Sequence, residues 1–186
     1  MSKIFSVDAE VDGLLGRAFA IAVTIREGGR EVAQFVGRVP DELVADQWVR
    51  ENVLPALVGM EVTHTSSDEL EEAFWEFYSQ NALVEGKWGP SPDPQCAVIA
   101  HCGSPVESGL FRRCAERVAG RTFQGPMPLH EVGTVLLALG EDPSSVDGYN
   151  KKLELAVPFD GVAHHPMYDA VAAAVAWEHS MARIHG

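Results

Sequence analysis

The chain has 186 residues, 46% of them hydrophobic, and its formal net charge is −13 at pH 7. This length and composition suffice for a sizeable core, so we expect one domain over residues 1–186. Proteins that bind nucleic acid mainly by neutralising phosphates are basic, so the charge argues against tight, non-specific duplex binding. It does not exclude a locally positive site, because bound divalent cations cancel several carboxylates.

The sequence gives no indication of a membrane segment or a signal peptide. No apolar run reaches the roughly 18 to 20 residues that span a bilayer, and no basic region precedes a long apolar stretch. The three cysteines, Cys96, Cys102 and Cys114, lack the C-x-x-C spacing of zinc sites. They are typical of reduced, packed thiols. We therefore expect a cytoplasmic protein.

The first forty residues predict a β-meander. Apolar runs cover residues 3–7, 17–25 and 31–39, and Gly28-Gly29 is a hairpin signal between the last two. Pro40 and Asp41 then open a helical pattern that continues to about residues 53–55.

Helical patterns and one buried strand make up the rest of the chain. Ser66 and Glu69 have capping-box spacing ahead of apolar positions 70, 74, 77 and 78. Residues 96–100 form a short continuous apolar strand of the buried kind. Further helical patterns occupy residues 110–118, 132–139 and 166–183. A meander followed by helices that alternate with a strand predicts an α/β fold, with a mixed sheet flanked by helices.

Two acids at the end of the first strand are candidate metal ligands. Asp8 and Glu10 point to the same face because side chains alternate along a strand. Two carboxylates on one face are costly in a core without a cationic partner. Mg²⁺ and Mn²⁺ are suitable partners, since hard cations prefer oxygen ligands. The alternative is an acidic pair at a strand end that faces solvent.

A third acid and a histidine lie around the start of the last helix. Pro166 suits the first helical position, and Asp169 then projects from the first turn, where the helix dipole favours a carboxylate. Five helical residues separate side chains by about 140°, so His164 reaches the site of Asp169 only if it precedes the helix. A histidine with a pKa of about 6.5 suits a general base. The alternative for Asp169 is an acid that only complements the dipole.

Asp8-x-Glu10 together with His164-x₄-Asp169 resembles the DEDDh group of 3′→5′ exonucleases, which have an RNase H-like fold. The group's middle signature corresponds to residues 100–111, which follow a buried strand and open a helix. Its acid here is Glu107, where the group has aspartate, and no asparagine is present. Residues 46–55 are similar to a segment of small actinobacterial and phage-type exoribonucleases. The resemblance thus spans nearly the whole chain in four blocks.

The resemblance implies an RNase H-like mixed β-sheet flanked by α-helices and a two-metal nuclease. Two Mg²⁺ or Mn²⁺ ions would be held by Asp8, Glu10, Glu107 and Asp169. His164 would take the proton from the attacking water, and nucleoside 5′-monophosphates would be released from a single-stranded RNA or DNA 3′ end. Residues 46–55 favour RNA, and the small relatives imply a homodimer.

Substrate contacts are expected from a few cationic and aromatic side chains. Candidates for phosphate contacts are Arg17, Arg50 and Lys87, and candidates for base stacking are Trp48, Trp88 and Phe111.

Glu107 departs from the group's pattern. Its extra methylene could shift a metal ligand by about 1 Å, and catalysis is sensitive to such a displacement. The carboxylate could ligate adequately, the site could be tuned to Mn²⁺, or the enzyme could be weakened. We favour the first interpretation because the other three acids and the histidine are present. Two other functions stay open: a relative that binds nucleic acid or a protein without cutting, and a phosphohydrolase of short oligonucleotides.

Overall fold

The computed structural model describes residues 3–84 and 91–186. The strands are β1 (Lys3–Val11), β2 (Ala18–Glu27), β3 (Arg30–Arg38), β4 (Leu83–Val84), β5 (Ser91–Pro92), β6 (Cys96–Ala100) and β7 (His130–Glu131). The α-helices are α1 (Gln47–Asn52), α2 (Ser67–Ala82), α3 (Val106–Glu116), α4 (Val132–Ala138), α5 (Val146–Lys152) and α6 (Pro166–His185).

The main sheet has five strands in the order β3-β2-β1-β6-β7. β1 pairs antiparallel with β2, with Asp8 opposite Ala22, and β2 pairs antiparallel with β3. On its other side β1 pairs in parallel with β6, and β6 pairs in parallel with β7. β4 and β5 form a separate two-stranded ladder. The predicted meander, the buried strand and the mixed sheet are therefore confirmed.

Helices cover both faces of the sheet, and β1 divides its side chains between them. Phe5 belongs to the core under α2 and α3, where it packs against Phe74 and Tyr78. The next side chain, Ser6, points to the opposite face and donates a hydrogen bond of 2.7 Å to the carbonyl of Ala170 on α6. Strand alternation then places residues 8 and 10 on the α6 face, as the sequence predicts.

The buried side of α6 is rich in small residues, although Met167 and Trp177 are buried there as well. Five alanines of this helix are buried: Ala170, Ala172, Ala173, Ala174 and Ala176. An alanine-rich surface lets the helix backbone approach the strands, which fixes where the helix begins relative to β1. Within the described residues, α6 included, there is no helix with the length and apolar character needed to cross a membrane.

The predicted continuous helix after Pro40 is wrong at residues 44–46. A 3₁₀ helix covers Asp41–Leu43, and α1 begins only at Gln47. The chain between them is fixed by Asp12, whose Oδ1 accepts the N–H groups of Ala45 at 3.0 Å and Asp46 at 2.7 Å. Asp46 then caps α1 by accepting the N–H of Val49. A side chain more than thirty residues away therefore interrupts the helical pattern.

Three other local expectations can be compared with the structure. Ser66 caps α2 by accepting the N–H of Glu69 at 3.3 Å, so the predicted helix start is confirmed. α5 was not predicted, since it has only seven residues and is recognised mainly by the Ser145 cap on Gly148. Two of the cysteines are buried as expected, but Cys102 is exposed.

Glu71 of α2 is a fully buried carboxylate that connects α2 to α3 and to the β1–β2 connection. Its oxygens accept hydrogen bonds from Arg17 at 3.0 Å, Arg113 at 3.2 Å and Arg117 at 2.7 Å. These arginines lie on the β1–β2 connection and at α3, and Glu71 has no exposed surface. The buried charge is thus compensated by three guanidinium groups.

Replacement of Glu71 by alanine is expected to lower the free energy of unfolding by about 3–5 kcal/mol, because it leaves clustered guanidinium groups without their buried partner. Urea unfolding followed by circular dichroism measures this loss. The matched control is Glu72→Ala on the same helix, since the Glu72 side chain is 39% exposed and, among the described residues, forms an ion pair only with Arg121. The cost of this substitution should stay below about 1 kcal/mol. Equal losses in the two variants would contradict the structural role of Glu71.

Candidate metal centre and active site

Three carboxylates converge where β1 ends and α6 begins. One oxygen each of Asp8, Glu10 and Asp169 can be chosen so that all lie within 4.8 Å of one another. Asp8 and Glu10 come from the same face of β1, and Asp169 from the first turn of α6. The predicted grouping of these three acids is therefore present in the structure.

Asp169 is held in place by the loop before α6. Its Oδ2 accepts the backbone N–H of His164 at 2.7 Å, and its own N–H donates to the carbonyl of His165 at 3.1 Å. His164 adopts a left-handed backbone conformation with φ of 69°, which turns the chain into the helix at Pro166. One carboxylate oxygen is anchored in this way, and Oδ1 is left for a ligand.

The pKa values of these acids reflect a concentration of negative charge in a partly buried place. Burial raises the pKa of Asp8 well above its ordinary value, and the charges of Glu107, Glu10 and Asp169 raise it further. Burial also raises the pKa of Asp169 to about 7. Adjacent buried carboxylates are unfavourable without a cation, and their oxygens are the donors that Mg²⁺ and Mn²⁺ prefer. The residues present thus fit a divalent metal.

Glu107 lies beside the three acids, but outside the group within 4.8 Å. It is 3% exposed and lines the same cavity, and its Oε1 accepts the N–H of Ala9 at 2.9 Å. Burial raises its pKa to about 8. The hydrogen bond fixes the carboxylate against β1, so Oε2 is the oxygen that could ligate a metal.

The turn that leads into α3 is held by Glu131, which the sequence analysis missed. Its Oε1 accepts the N–H of Cys102 and its Oε2 accepts that of Gly103, both at 2.8 Å. A side chain at residue 103 would clash, since a Cβ there would lie 2.7 Å from that of Ala100. Glu131 therefore determines how the chain passes from β6 toward Glu107. Its position in sequence gives no signal of this role.

His164 lies at the rim of the carboxylate group. Its side chain is 50% exposed, and Nδ1 lies 3.7 Å from Oε1 of Glu10. The Glu10 carboxylate raises the pKa of His164. The Trp48 ring, 59% exposed, meets the imidazole edge-on with ring centroids 6.3 Å apart. His164 precedes the helix as predicted, and Trp48 is at the site, where it could contact a substrate.

A cavity of about 460 Å³ contains the four acids and His164. Its other side is formed by the first turn of α5 and the residues before it, including Ser144, Ser145 and Asp147, which the sequence did not associate with the site. Asp147 accepts a hydrogen bond of 2.9 Å from the Tyr168 hydroxyl, next to Asp169. In the sequence, this part of the site is marked only by Ser145 as an N-cap and by Asp147 in the first turn of α5. Both features are typical of any helix start, so they do not indicate a functional site.

The other predicted substrate contacts are less favourably placed. Arg17 pairs with the carboxylates of α2, and Arg50 donates to a backbone carbonyl at 2.8 Å. Phe111 is 4% exposed and packs in the aromatic core under α2, so it offers a base little surface. Lys87 and Trp88 lie outside the described residues.

No protein-family model and no curated protein matches the chain. Among solved structures, the chain is similar to one described as "Exonuclease X in complex with 5′ overhanging duplex DNA". The TM-score is 0.58 at 19% sequence identity, over 100% of this chain and 94% of the other. This likeness confirms the predicted RNase H-like α/β fold.

Proposed function

We propose that this chain is a single-domain, metal-dependent 3′→5′ exonuclease that acts on single-stranded nucleic acid ends. The observation that carries the proposal is the convergence of Asp8, Glu10 and Asp169 within 4.8 Å, with His164 at the rim. Support comes from the order of these residues in the chain, which resembles that of DEDDh exonucleases, and from the fold shared with an exonuclease.

In this proposal Asp8, Glu10, Asp169 and Oε2 of Glu107 would hold Mg²⁺ or Mn²⁺. Two such ions would supply positive charge that stabilises the phosphate and the leaving oxygen in the transition state. His164 would accept the proton of the attacking water, and this role is supported by its half-exposed imidazole beside Glu10. Hydrolysis would release a nucleoside 5′-monophosphate and leave a strand shortened by one nucleotide with a free 3′-hydroxyl.

RNA is our preferred substrate, and its support is the similarity of residues 46–55 to small exoribonucleases. Part of that segment, Trp48, lies beside His164. The solved neighbour is described in complex with duplex DNA that has a 5′ overhang, so both sugars have to be tested. A homodimer, which the small relatives imply, is a further part of the proposal and can be tested by light scattering.

The decisive experiment is a time course on 5′-labelled single-stranded RNA and DNA of equal sequence, with Mg²⁺, Mn²⁺ or EDTA. We expect a metal-dependent ladder that shortens from the 3′ end, and faster shortening of RNA. Faster shortening of DNA would overturn only the choice of sugar. A folded protein that gives no ladder with either metal would contradict the proposed nuclease activity.

A second candidate is a relative that binds nucleic acid without cutting it. It is favoured by Glu107, which lies outside the group of three acids and has Oε1 engaged with Ala9. Titration with Mn²⁺, followed by electron paramagnetic resonance, separates the two candidates. Two bound ions and a ladder support the exonuclease, whereas fewer than two ions, strand binding and no ladder support the second candidate.

His164→Ala is expected to lower kcat by about 10²–10⁴-fold, the usual contribution of a general base, with little change in Mn²⁺ affinity. The reason is that the imidazole lies at the rim, 3.7 Å from Glu10, and outside the group of three carboxylates. Single-turnover rates and Mn²⁺ titration measure the two effects. His179→Ala, on the far part of α6, serves as the control histidine. Comparable losses of rate and affinity in His164→Ala would identify it as a metal ligand.

A further inference from the structure

β1 extends beyond its parallel neighbour β6 at the end of the sheet that carries the carboxylates. Among the described residues, β6 pairs with residues 3–6 of β1, whereas β1 itself continues to Val11. Beyond the paired part, the N–H of Ala9 donates to Oε1 of Glu107 at 2.9 Å, and Ala9 is buried. A buried N–H without a partner is costly. Glu107 therefore completes the hydrogen bonding of β1, and this bond fixes where its carboxylate lies.

The start of α3 is held in place by Glu131 of β7. Its carboxylate accepts the N–H groups of Cys102 and Gly103, both at 2.8 Å, and that of Gly133 at 3.1 Å. The carbonyl of Gly103 in turn accepts the N–H of Ser108, in the first turn of α3, at 2.9 Å. A continuous set of hydrogen bonds thus connects β7 to the helix that carries the fourth acid of the site.

The turn between β6 and α3 has a backbone conformation that needs support. Cys102 is left-handed, with φ of 57°. Residues other than glycine adopt this conformation at a cost, and it persists where the surrounding structure fixes it. The charged hydrogen bonds from Cys102 and Gly103 to Glu131 supply such support. Pro105, the residue before α3, has no polar side chain that could cap the helix. We therefore expect the conformation of the turn to depend on Glu131.

The two glutamates meet at Gly103. A Cβ at this position would lie 3.6 Å from Oε2 of Glu107 and 3.7 Å from Oε2 of Glu131. Both oxygens of Glu131 accept N–H groups, and within the described residues it is not part of the group of three carboxylates. Glu131 thus acts on the site through the backbone next to Glu107 and not as a ligand.

The length of the side chain at position 107 matters because α3 is held independently of it. An aspartate carboxylate would lie about one carbon–carbon bond, roughly 1.5 Å, closer to the helix backbone. Its distance from the N–H of Ala9 would then exceed that of a hydrogen bond. Its second oxygen would also be displaced relative to the other acids, and catalysis is sensitive to displacements of this size. A glutamate therefore suits this backbone.

We propose that Glu131 is the positioning residue for Glu107, and that it makes the site specific for glutamate at position 107. This rests on the proposed function, since it assigns Oε2 of Glu107 to a metal ion. Glu131 fixes where α3 begins, and the longer side chain of Glu107 then spans the distance to β1. The departure from the aspartate of the DEDDh group is matched by the backbone around it, so Glu107→Asp impairs the site.

Amide hydrogen exchange of the metal-free protein, followed by NMR, tests the positioning without any reaction. In Glu131→Gln one side-chain oxygen remains for two N–H groups, so the start of α3 should loosen. We expect the Ala9 amide to exchange about tenfold faster, relative to other amides of β1, in Glu131→Gln and in Glu107→Asp. The matched control is Glu69→Gln, because Glu69 accepts the N–H of Thr65 at 2.9 Å ahead of α2. This control should leave Ala9 unchanged, and an unchanged Ala9 in Glu131→Gln would overturn the proposal.

Titration with Mn²⁺, followed by electron paramagnetic resonance, tests the connection to the metal. We expect two bound ions in the wild type, and a Kd of the weaker ion that rises about tenfold in Glu107→Asp and in Glu131→Gln. In the double variant the released turn lets α3 approach β1, so Glu131→Gln should not weaken binding further on the Glu107→Asp background. Additive losses in the double variant, or fewer than two ions in the wild type, would overturn the proposal.

The role of Glu131 and the exonuclease activity can fail separately, because amide exchange and Mn²⁺ titration require no cleavage. A wild type that binds two ions and cuts no strand, with variants that behave as expected, would support the role of Glu131 and contradict the exonuclease. A wild type that cuts strands, with additive losses in the double variant, would support the exonuclease and contradict the role of Glu131.

Discussion

Asp8→Asn is expected to lower the rate of strand cleavage at least about a thousandfold and to raise the melting temperature of the metal-free protein. The loss of rate follows because divalent ions contribute several kcal/mol of transition-state stabilisation, and about 4 kcal/mol corresponds to a thousandfold. Asp8 is the most central acid, since its pKa is raised by burial and by the charges of Glu107, Glu10 and Asp169.

The gain in stability has the same physical origin. Asparagine has nearly the shape of aspartate but no charge, so the repulsion among the partly buried acids is reduced. A gain of about 1 kcal/mol would raise the melting temperature by about 2–4 °C in a protein of this size. Asp169→Asn should lose activity similarly. The Asp169 carboxylate has two proposed roles, to bind a metal and to accept the His164 N–H, and an amide cannot replace both.

Single-turnover cleavage and differential scanning calorimetry measure the two effects on the same samples. The control is Asp160→Asn, an exposed aspartate in the loop before α6, which should change neither quantity. Retained cleavage in Asp8→Asn would show that Asp8 is not required for the reaction. Lost cleavage together with a lower melting temperature would point to a damaged fold instead of a missing metal ligand.

The metal-free protein is expected to lose stability as the pH rises from about 5 to about 8, and divalent metal is expected to restore it. Folding raises the pKa of Asp169 to about 7 and that of Glu107 to about 8, and it also raises the pKa of Asp8. Folding therefore favours the protonated acids. Their stabilising contribution is complete below the unfolded pKa of about 4, and it is lost as the pH rises through the folded values.

Metal binding reverses this dependence because it requires the deprotonated carboxylates and releases protons. At a concentration one hundred times Kd, a metal adds about 2.7 kcal/mol to the stability, which corresponds to roughly 5–10 °C. The increase should be larger at pH 8 than at pH 6. Calorimetric titration in buffers of different ionisation enthalpy counts the released protons. An increase that is independent of pH, or that persists in Asp8→Asn, would contradict this assignment of the site.

The sequence predicted those parts of the site that depend on local rules. Alternation along β1 placed Asp8 and Glu10 on one face, and Pro166 marked the start of the helix that carries Asp169. Each inference needs only a few neighbouring residues. The order of the motifs along the chain then indicated that the acids of β1 and of α6 belong to the same site. The sheet and its flanking helices followed in the same way from apolar periodicity.

The parts that were missed depend on distant contacts. Asp12 interrupts the helical pattern at residues 44–46, and Glu131 fixes a turn almost thirty residues earlier in the chain. Arg17 is a candidate for a phosphate contact in the sequence, and its contact with a buried acid of α2 was not predicted. In each case a polar side chain has several chemically suitable partners, and only the packed structure selects one. A single sequence contains no pattern that makes this selection.

The carboxylates of the site come from β1 and from the first turn of α6, so they are separated by most of the chain. During synthesis β1 leaves the ribosome first, and its parallel neighbour β6 follows only after some ninety residues. At about 5–20 residues per second, roughly ten to thirty seconds pass between Asp8 and Asp169. The group of three carboxylates is therefore incomplete until α6 has been synthesised, and in the proposed function cleavage begins only when α6 closes onto the sheet.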